Sequence, residues 1–115
     1  MIARTWRGWT SAADADRYVG YLGETGVREY RATPGNRGVL MLRRLVGDRA
    51  EFVLVTLWDS IEAVRAFAGE DESVAVFYPQ DEAYLVERET HAEHFEVVAA
   101  TGVAGLEEVA GPVDG

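Results

Sequence analysis

The 115-residue sequence contains no cysteine, which excludes a disulfide framework, a thiolate nucleophile and a zinc–thiolate site. It has no lysine either, so all eleven basic residues are arginines. Two readings fit that bias: codon usage in a GC-rich genome, or use of the guanidinium fork on planar anions. Histidine is scarce. His91 and His94 are the two present, three apart within an expected strand, a spacing that points them to opposite faces and prevents them from sharing a metal. No metal site and no cofactor is expected. No apolar run approaches the roughly 20 residues that cross a bilayer, and the opening Met1–Arg7 has no apolar stretch of the secretory kind. Positive charge is short as well, 11 basic against 20 acidic residues for a net charge of −9. Nucleic-acid binding needs a basic stripe that displaces counterions, so neither nucleic acid nor membrane is expected as a partner, and a cytoplasmic location is. Phosphate-binding glycine loops, nucleophile elbows and metalloprotease helices are all missing.

Apolar residues make up 48% and charged residues 27%, as in ordinary globular domains. The length argues for one domain, placed at residues 1–99, with a Gly/Ala-rich tail at 100–115 that is either mobile or laid across a partner subunit. Residues 1–8 read as a strand. Ser11 and Asp14 have the spacing of a helix start, and Ala12, Ala15, Val19 and Leu22 form an apolar stripe that Gly23 and Gly26 loosen. Thr33-Pro34-Gly35-Asn36 is a turn cluster. Gly47-Asp48 separates two apolar runs as a two-residue hairpin turn. Counting outward pairs Val46 with Arg49, Arg44 with Glu51, Met41 with Leu54 and Arg37 with Trp58. A second helix begins at Asp59 or Ser60, buries Ile61, Val64, Phe67 and Ala68, and ends at Gly69. Pro79 splits the acidic, aromatic stretch 70–89 into two short helical turns, and a last strand covers His91 to Ala99.

The order strand, helix, strand, strand, helix, strand predicts an α+β, ferredoxin-like βαββαβ domain with a four-stranded antiparallel sheet. Two helices cover one face of such a sheet. The central strands are apolar on both faces, so the second face is expected to pack against another copy, giving a homodimer.

Chemistry-bearing residues divide between packing and ligand roles. Trp58 either plugs the core end or, with Trp6 and Phe67, walls a cavity suited to a flat apolar ligand. Asn36 either serves the turn or turns its amide to a ligand oxygen. Arg4 and Arg43 interrupt apolar strands; buried, each needs a carboxylate or a ligand anion, and at a strand end each reaches water. Tyr18, Tyr21, Tyr78 and Tyr84 are possible proton donors, none singled out.

The segments Met1-Ile2-Ala3-Arg4-Thr5-Trp6, Tyr30 to Gly38, Leu57-Trp58-Asp59-Ser60 with its helix, and Glu93 to Val98 resemble the antibiotic biosynthesis monooxygenase family over residues 1–99. The resemblance implies a dimeric α/β-barrel. For some members it also implies oxidation of phenolic or anthrone-like polyketides by molecular oxygen without metal or flavin, the substrate carbanion or phenolate itself reducing oxygen. Related members degrade heme with a first-strand asparagine and a tryptophan and histidine near the second helix. Here the first strand has no asparagine, Phe67 stands near the tryptophan position, and Phe77-Tyr78 stands near the histidine position. The expectation is therefore a cofactor-independent monooxygenase or oxidase using O2 on a flat aromatic substrate. In it Trp58, Asn36 and Arg37 are the catalytic candidates, with Asn36, Arg37 or Arg4 meeting the substrate oxyanion. Trp6, Arg4, Phe67, Phe77 and Tyr78 contact substrate. A polyketide cyclase or isomerase, and a ligand-binding dimer without catalysis, are the alternatives.

Overall fold

A computed structural model describes residues 1–103. The first strand, β1 (Ile2–Ser11), leads through a 3-10 turn (Ala12–Asp14) into helix α1 (Ala15–Leu22), a π-helical turn (Gly23–Val27) and α2 (Arg28–Ala32). The hairpin β2 (Asn36–Val46) and β3 (Arg49–Trp58) follows, then α3 (Ile61–Ala68), an irregular connector, α4 (Asp81–Tyr84), β4 (Leu85–Arg88) and β5 (Glu93–Glu96). The sheet order is β2-β3-β1-β4, with β5 also pairing to β1. All pairings are antiparallel, so the fold class is the expected ferredoxin-like α+β arrangement. One difference is that the fourth strand is broken. β4 pairs with the C-terminal half of β1 and β5 with its N-terminal half, as two pieces of a single edge running from Leu85 to Glu96. The strand therefore starts six residues before His91 and, among the described residues, stops at Glu96 rather than Ala99. Most of the 100–115 tail lies outside the described residues.

Local chemistry explains most boundaries. Ser11 Oγ accepts the Asp14 N–H at 3.3 Å and Ser60 Oγ accepts the Ala63 N–H at 3.2 Å, each satisfying a free donor at a helix start. Gly69 ends α3 at φ 101°, a conformation that favours glycine. Gly35 is doubly constrained: its φ is 92°, and a Cβ there would stand 2.6 Å from the Ala63 Cβ. The Gly47-Asp48 turn and the hairpin pairs Val46–Arg49, Arg44–Glu51 and Met41–Leu54 are as expected.

Several expectations need correction. A bulge at Arg37 puts Asn36, not Arg37, opposite Trp58, because two residues on one strand here face one on the other. β1 continues to Ser11 instead of ending at Gly8. The first helix does not end at Gly23: the backbone widens into a π turn and stays helical to Ala32. Its buried stripe is Ala15, Tyr18 and Leu22, with Val19 at the surface, since the large tyrosine ring claims the core-facing position. Of the two helical turns expected around Pro79, the one after it is present as α4; before it the chain makes a hydrogen-bonded turn from Asp71 to Val74 but no helix, and is pinned by a bridge between Val74 and His91.

From Arg4 onward the even-numbered residues of β1 and β3 face the helices and are buried, among them Arg4, Trp6, Phe52, Leu54, Thr56 and Trp58. Among the described residues, no helix lies on the opposite face. Leu40 and Leu42 are about half exposed there, as is Phe95 on the broken edge strand.

Candidate active site

Two aromatic groups fill the space between sheet and helices. Trp58 is fully buried and donates its indole N–H to Thr56 Oγ1 at 2.8 Å. Its ring packs on Phe67 with centroids 5.8 Å apart and meets Tyr30 edge-on at 6.2 Å, while Tyr30 and Phe67 lie 4.5 Å apart. On the far side Tyr18 contacts Phe52 edge-on at 5.0 Å and Tyr84 at 5.6 Å.

Between them is a cavity of about 20 Å³, enough for roughly one water molecule. The sheet supplies Arg4, Trp6 and Leu54. The first helix supplies Tyr18, Leu22, Gly26 and Tyr30. The connector and α4 supply Ala75, Val76, Phe77, Tyr78 and Asp81. Trp6 takes its place because the next residue on that face is glycine: a Cβ at Gly8 would lie 2.4 Å from the indole. The indole N–H is fixed at 2.7 Å to the Glu89 carbonyl, and the ring meets Phe77 edge-on at 6.1 Å.

The electrostatics of this cavity are unusual. Arg4 is 3% exposed and, among the described residues, forms no salt bridge. One terminal nitrogen donates to the Val74 carbonyl at 3.1 Å, whereas Nε has no hydrogen-bond partner among the described residues. Burial pulls the guanidinium pKa down and the neighbouring Tyr30 hydroxyl opposes that, yet arginine stays protonated. A cation has thus been taken out of water without a carboxylate beside it, which is costly. The Tyr78 hydroxyl is also buried without a partner among the described residues, and burial raises its pKa, as it does for Tyr18 and Tyr30. His94 lies opposite Arg4 in the sheet register. Its imidazole pKa is lowered, first by burial and then by the Arg4 charge.

Asp81, 3% exposed, is the carboxylate of the cavity. Tyr18 donates its hydroxyl to one carboxylate oxygen at 3.3 Å and the Tyr78 N–H donates to the other. Burial raises the Asp81 pKa above the ordinary carboxylate value, more than these hydrogen bonds lower it.

Of the residues singled out in the sequence, Arg4, Trp6, Phe77 and Tyr78 meet at this cavity. Trp58 and Phe67 stand behind it, as the packing wall against Tyr30. Asn36 and Arg37 are elsewhere. The Asn36 amide donates to the Leu57 carbonyl at 3.2 Å and accepts from Arg31 at 2.9 Å, while Arg37 is ion-paired with Asp59 at the surface. Arg43 pairs with Asp16 at 2.7 Å, also in solvent. Tyr30 and Asp81 were missed. The signal for Tyr30 is the spacing Ala15, Tyr18, Leu22, Gly26, Tyr30, one stripe once the helix is carried past its glycines. Asp81 has a weaker mark, as the acid three residues after Tyr78 at the start of a short helix.

No family model matches the sequence, and no curated protein matches it. Solved structures do. A protein assigned as an antibiotic biosynthesis monooxygenase from Bacillus cereus superposes with a TM-score of 0.62 at 16% identity, over 89% of this chain and 97% of that one. The fold is that of the antibiotic biosynthesis monooxygenases. The heme-degrader MhuD from Mycobacterium tuberculosis, solved with two hemes bound in its active site, gives 0.56 at 22% identity over 89% of this chain and 100% of its own. A second assigned monooxygenase of this kind, from Chloroflexus aurantiacus J-10-fl, gives 0.54 at 14% identity over 90% and 97%. Identities this low carry the fold alone, and the function has to be argued from the cavity.

Proposed function

We propose that the chain is a monooxygenase or oxidase that acts on a flat, acidic aromatic molecule with O2 and needs neither metal nor flavin. The observation that carries this reading is Arg4, a buried cation that lines an aromatic-walled cavity and whose Nε has no hydrogen-bond partner among the described residues. Such a group suits a phenolate or enolate oxygen. Held in a dry site, it stabilises an electron-rich anion far better than water does, and that anion is the species able to reduce oxygen directly. Trp6 and Phe77 supply flat apolar walls, and Tyr78 a hydroxyl for a second ligand oxygen. Trp58 and Phe67 act by holding Tyr30. Asn36 and Arg37, both engaged outside the cavity, are left out of the chemistry.

The cavity as it stands is too small for such a ligand, so the connector between Gly69 and Gln80 must move aside. It is tied down by the Arg65–Glu72 ion pair, by Ala75 N–H to the Thr90 carbonyl, Ala92 N–H to the Ser73 carbonyl, Tyr78 N–H to Asp81, Gln80 N–H to the Tyr21 hydroxyl and Arg4 to Val74, and by the Phe77 ring against Trp6. Arg4 is one of these ties, so a ligand anion that engages Arg4 competes with the contact that keeps the connector shut. The open sheet face around Leu40, Leu42 and Phe95 is assigned to a second copy of the chain, which gives the dimeric barrel.

Oxygen consumption by the purified, chelator-treated protein with anthrones and dihydroxyaromatics tests the reading. Uptake above the protein-free rate is expected, with a loss of about a hundredfold or more in Arg4→Met, the size found when one donor to a developing oxyanion is removed. Product formed without oxygen would favour a cyclase or isomerase, and absence of turnover with or without oxygen would contradict catalysis on this substrate class.

A further inference from the structure

The cavity holds two buried charges of opposite sign that are not paired with one another. Arg4 reaches it from β1 and Asp81 from the start of α4; Arg4 donates to Val74, and Asp81 accepts from Tyr18 and Tyr78. A buried cation and a buried carboxylate put there for stability alone would gain most by direct contact, because unpaired burial costs both. Kept apart on the walls of one cavity, they instead suit a molecule that can give up a proton at one point and carry negative charge at another.

We propose that Asp81 is the proton acceptor of this site, placed by Tyr18, and that it deprotonates the acidic C–H or O–H of an aromatic ligand whose oxygen faces Arg4. The inference rests on the reading of the cavity as the ligand site. In the step the ligand's proton passes to the Asp81 carboxylate, and the electron pair of the broken bond stays on the ligand as an enolate or phenolate opposite the arginine. No oxidant takes part, so the step precedes any reaction with oxygen. Each carboxylate oxygen uses one of its two lone pairs on Tyr18 or Tyr78 and keeps one for the ligand. The 3.3 Å contact from Tyr18 is long for a hydroxyl donor, so the phenol orients the carboxylate and lowers its pKa by less than burial raises it.

The groups facing Asp81 are Tyr18 on α1, Tyr30 on α2, Tyr78 in the connector and Arg88 on β4. Tyr18, Tyr30 and Tyr78 are phenols held neutral by their own raised pKa values. Arg88 is drawn outward by Glu82 at 3.5 Å and lies over the Phe77 ring at 4.3 Å. Asp81 is the carboxylate on this list, and burial lifts its pKa above the ordinary carboxylate value while the Tyr78 N–H and the Tyr18 hydroxyl hold it down.

The test is anaerobic deuterium exchange at the acidic methylene of 1,8-dihydroxyanthrone, followed by NMR across pH 4–9, with oxygen uptake measured separately on the same protein. Wild type is expected to speed exchange, with a rate that falls on the acid side as Asp81 gains its proton. Asp81→Asn, which keeps an acceptor for the Tyr78 N–H, is expected to lose about a hundredfold or more, as for removal of a general base. Tyr18→Phe removes a hydrogen bond to the charged form, so its acid limb should move to higher pH, a shift that a merely structural role would not produce. Should Asp81→Asn not fold, that shift alone decides. Undiminished exchange in Asp81→Asn, an unmoved limb in Tyr18→Phe, or no exchange by wild type each overturns the assignment. Exchange that depends on Asp81 without oxygen uptake upholds it and overturns the oxygenase reading. Oxygen uptake independent of Asp81 does the reverse.

Discussion

At the scale of single residues, glycine and arginine decide what the interior can do. Gly8 has a packing role that its sequence neighbourhood conceals: it sits two residues after Trp6 on the same face, and the indole lies over it. Gly8→Ala would bring a Cβ within 2.4 Å of that ring and 3.0 Å of Leu85, and the indole is tied to Glu89 and has little freedom to retreat. A loss of about 1–3 kcal/mol of stability is expected from such overpacking, read as a lower midpoint in urea unfolding with an unchanged slope. An unchanged midpoint would mean that Trp6 is looser than described. Arg4 was visible in the sequence as a charge inside an apolar strand, and a buried cation seeking an anion was one of its two readings. Sequence alone could not choose between burial and escape to water, because that depends on the broken strand and connector that close over it. Asn36 shows the reverse case. Its turn role follows from Pro34-Gly35, and its amide is spent on the backbone of the bulge that also displaces Arg37.

At the scale of elements, capping and turn chemistry were the legible parts. The hairpin register follows from Gly47-Asp48 up to the point where the Arg37 bulge adds one residue, a feature with no side-chain periodicity to reveal it. Helix α3 was legible at both ends. Ser60→Ala removes the side-chain acceptor of the Ala63 N–H and is expected to cost about 1 kcal/mol; a thermal or urea midpoint equal to wild type would contradict the cap. Gly23 and Gly26 suggest the end of the first helix, whereas the π turn passes through them. That turn brings Gly26 under the Tyr78 ring, 3.7 Å from where a Cβ would lie. π turns recur at functional sites, and this one widens the helix beside the cavity. Aromatic residues around a proline suggest helical turns on both sides, but only the side after Pro79 is helical, as α4, while Phe77 and Tyr78 line the cavity outside any helix.

At the scale of the molecule, the described helices fill one face of the sheet and none covers the other, where Leu40, Leu42 and Phe95 are about half exposed. If two copies close over that face, Leu40→Glu places a carboxylate beside Val55 and Leu42 and the mass in sedimentation equilibrium is expected to fall from dimer to monomer, since a charge buried without a partner is costly. A monomeric wild type at tens of micromolar would contradict the proposed dimer. The net charge of −9 makes the inward-facing Arg4 more conspicuous, because an anionic ligand is repelled mildly by the surface and attracted at one interior point.

The central claim is that Arg4 waits for a ligand anion in an aromatic cavity that opens when its connector yields. The most direct measurement is a tryptophan-fluorescence titration of wild type and Arg4→Met with 1,8-dihydroxyanthraquinone, a flat phenol that cannot be oxidised at the anthrone carbon. Saturable quenching by wild type is expected, with affinity weakened about tenfold to a hundredfold in the variant, the effect of losing one hydrogen bond to a charged group. Equal affinity in the two proteins, or no saturable quenching in wild type, would contradict the account.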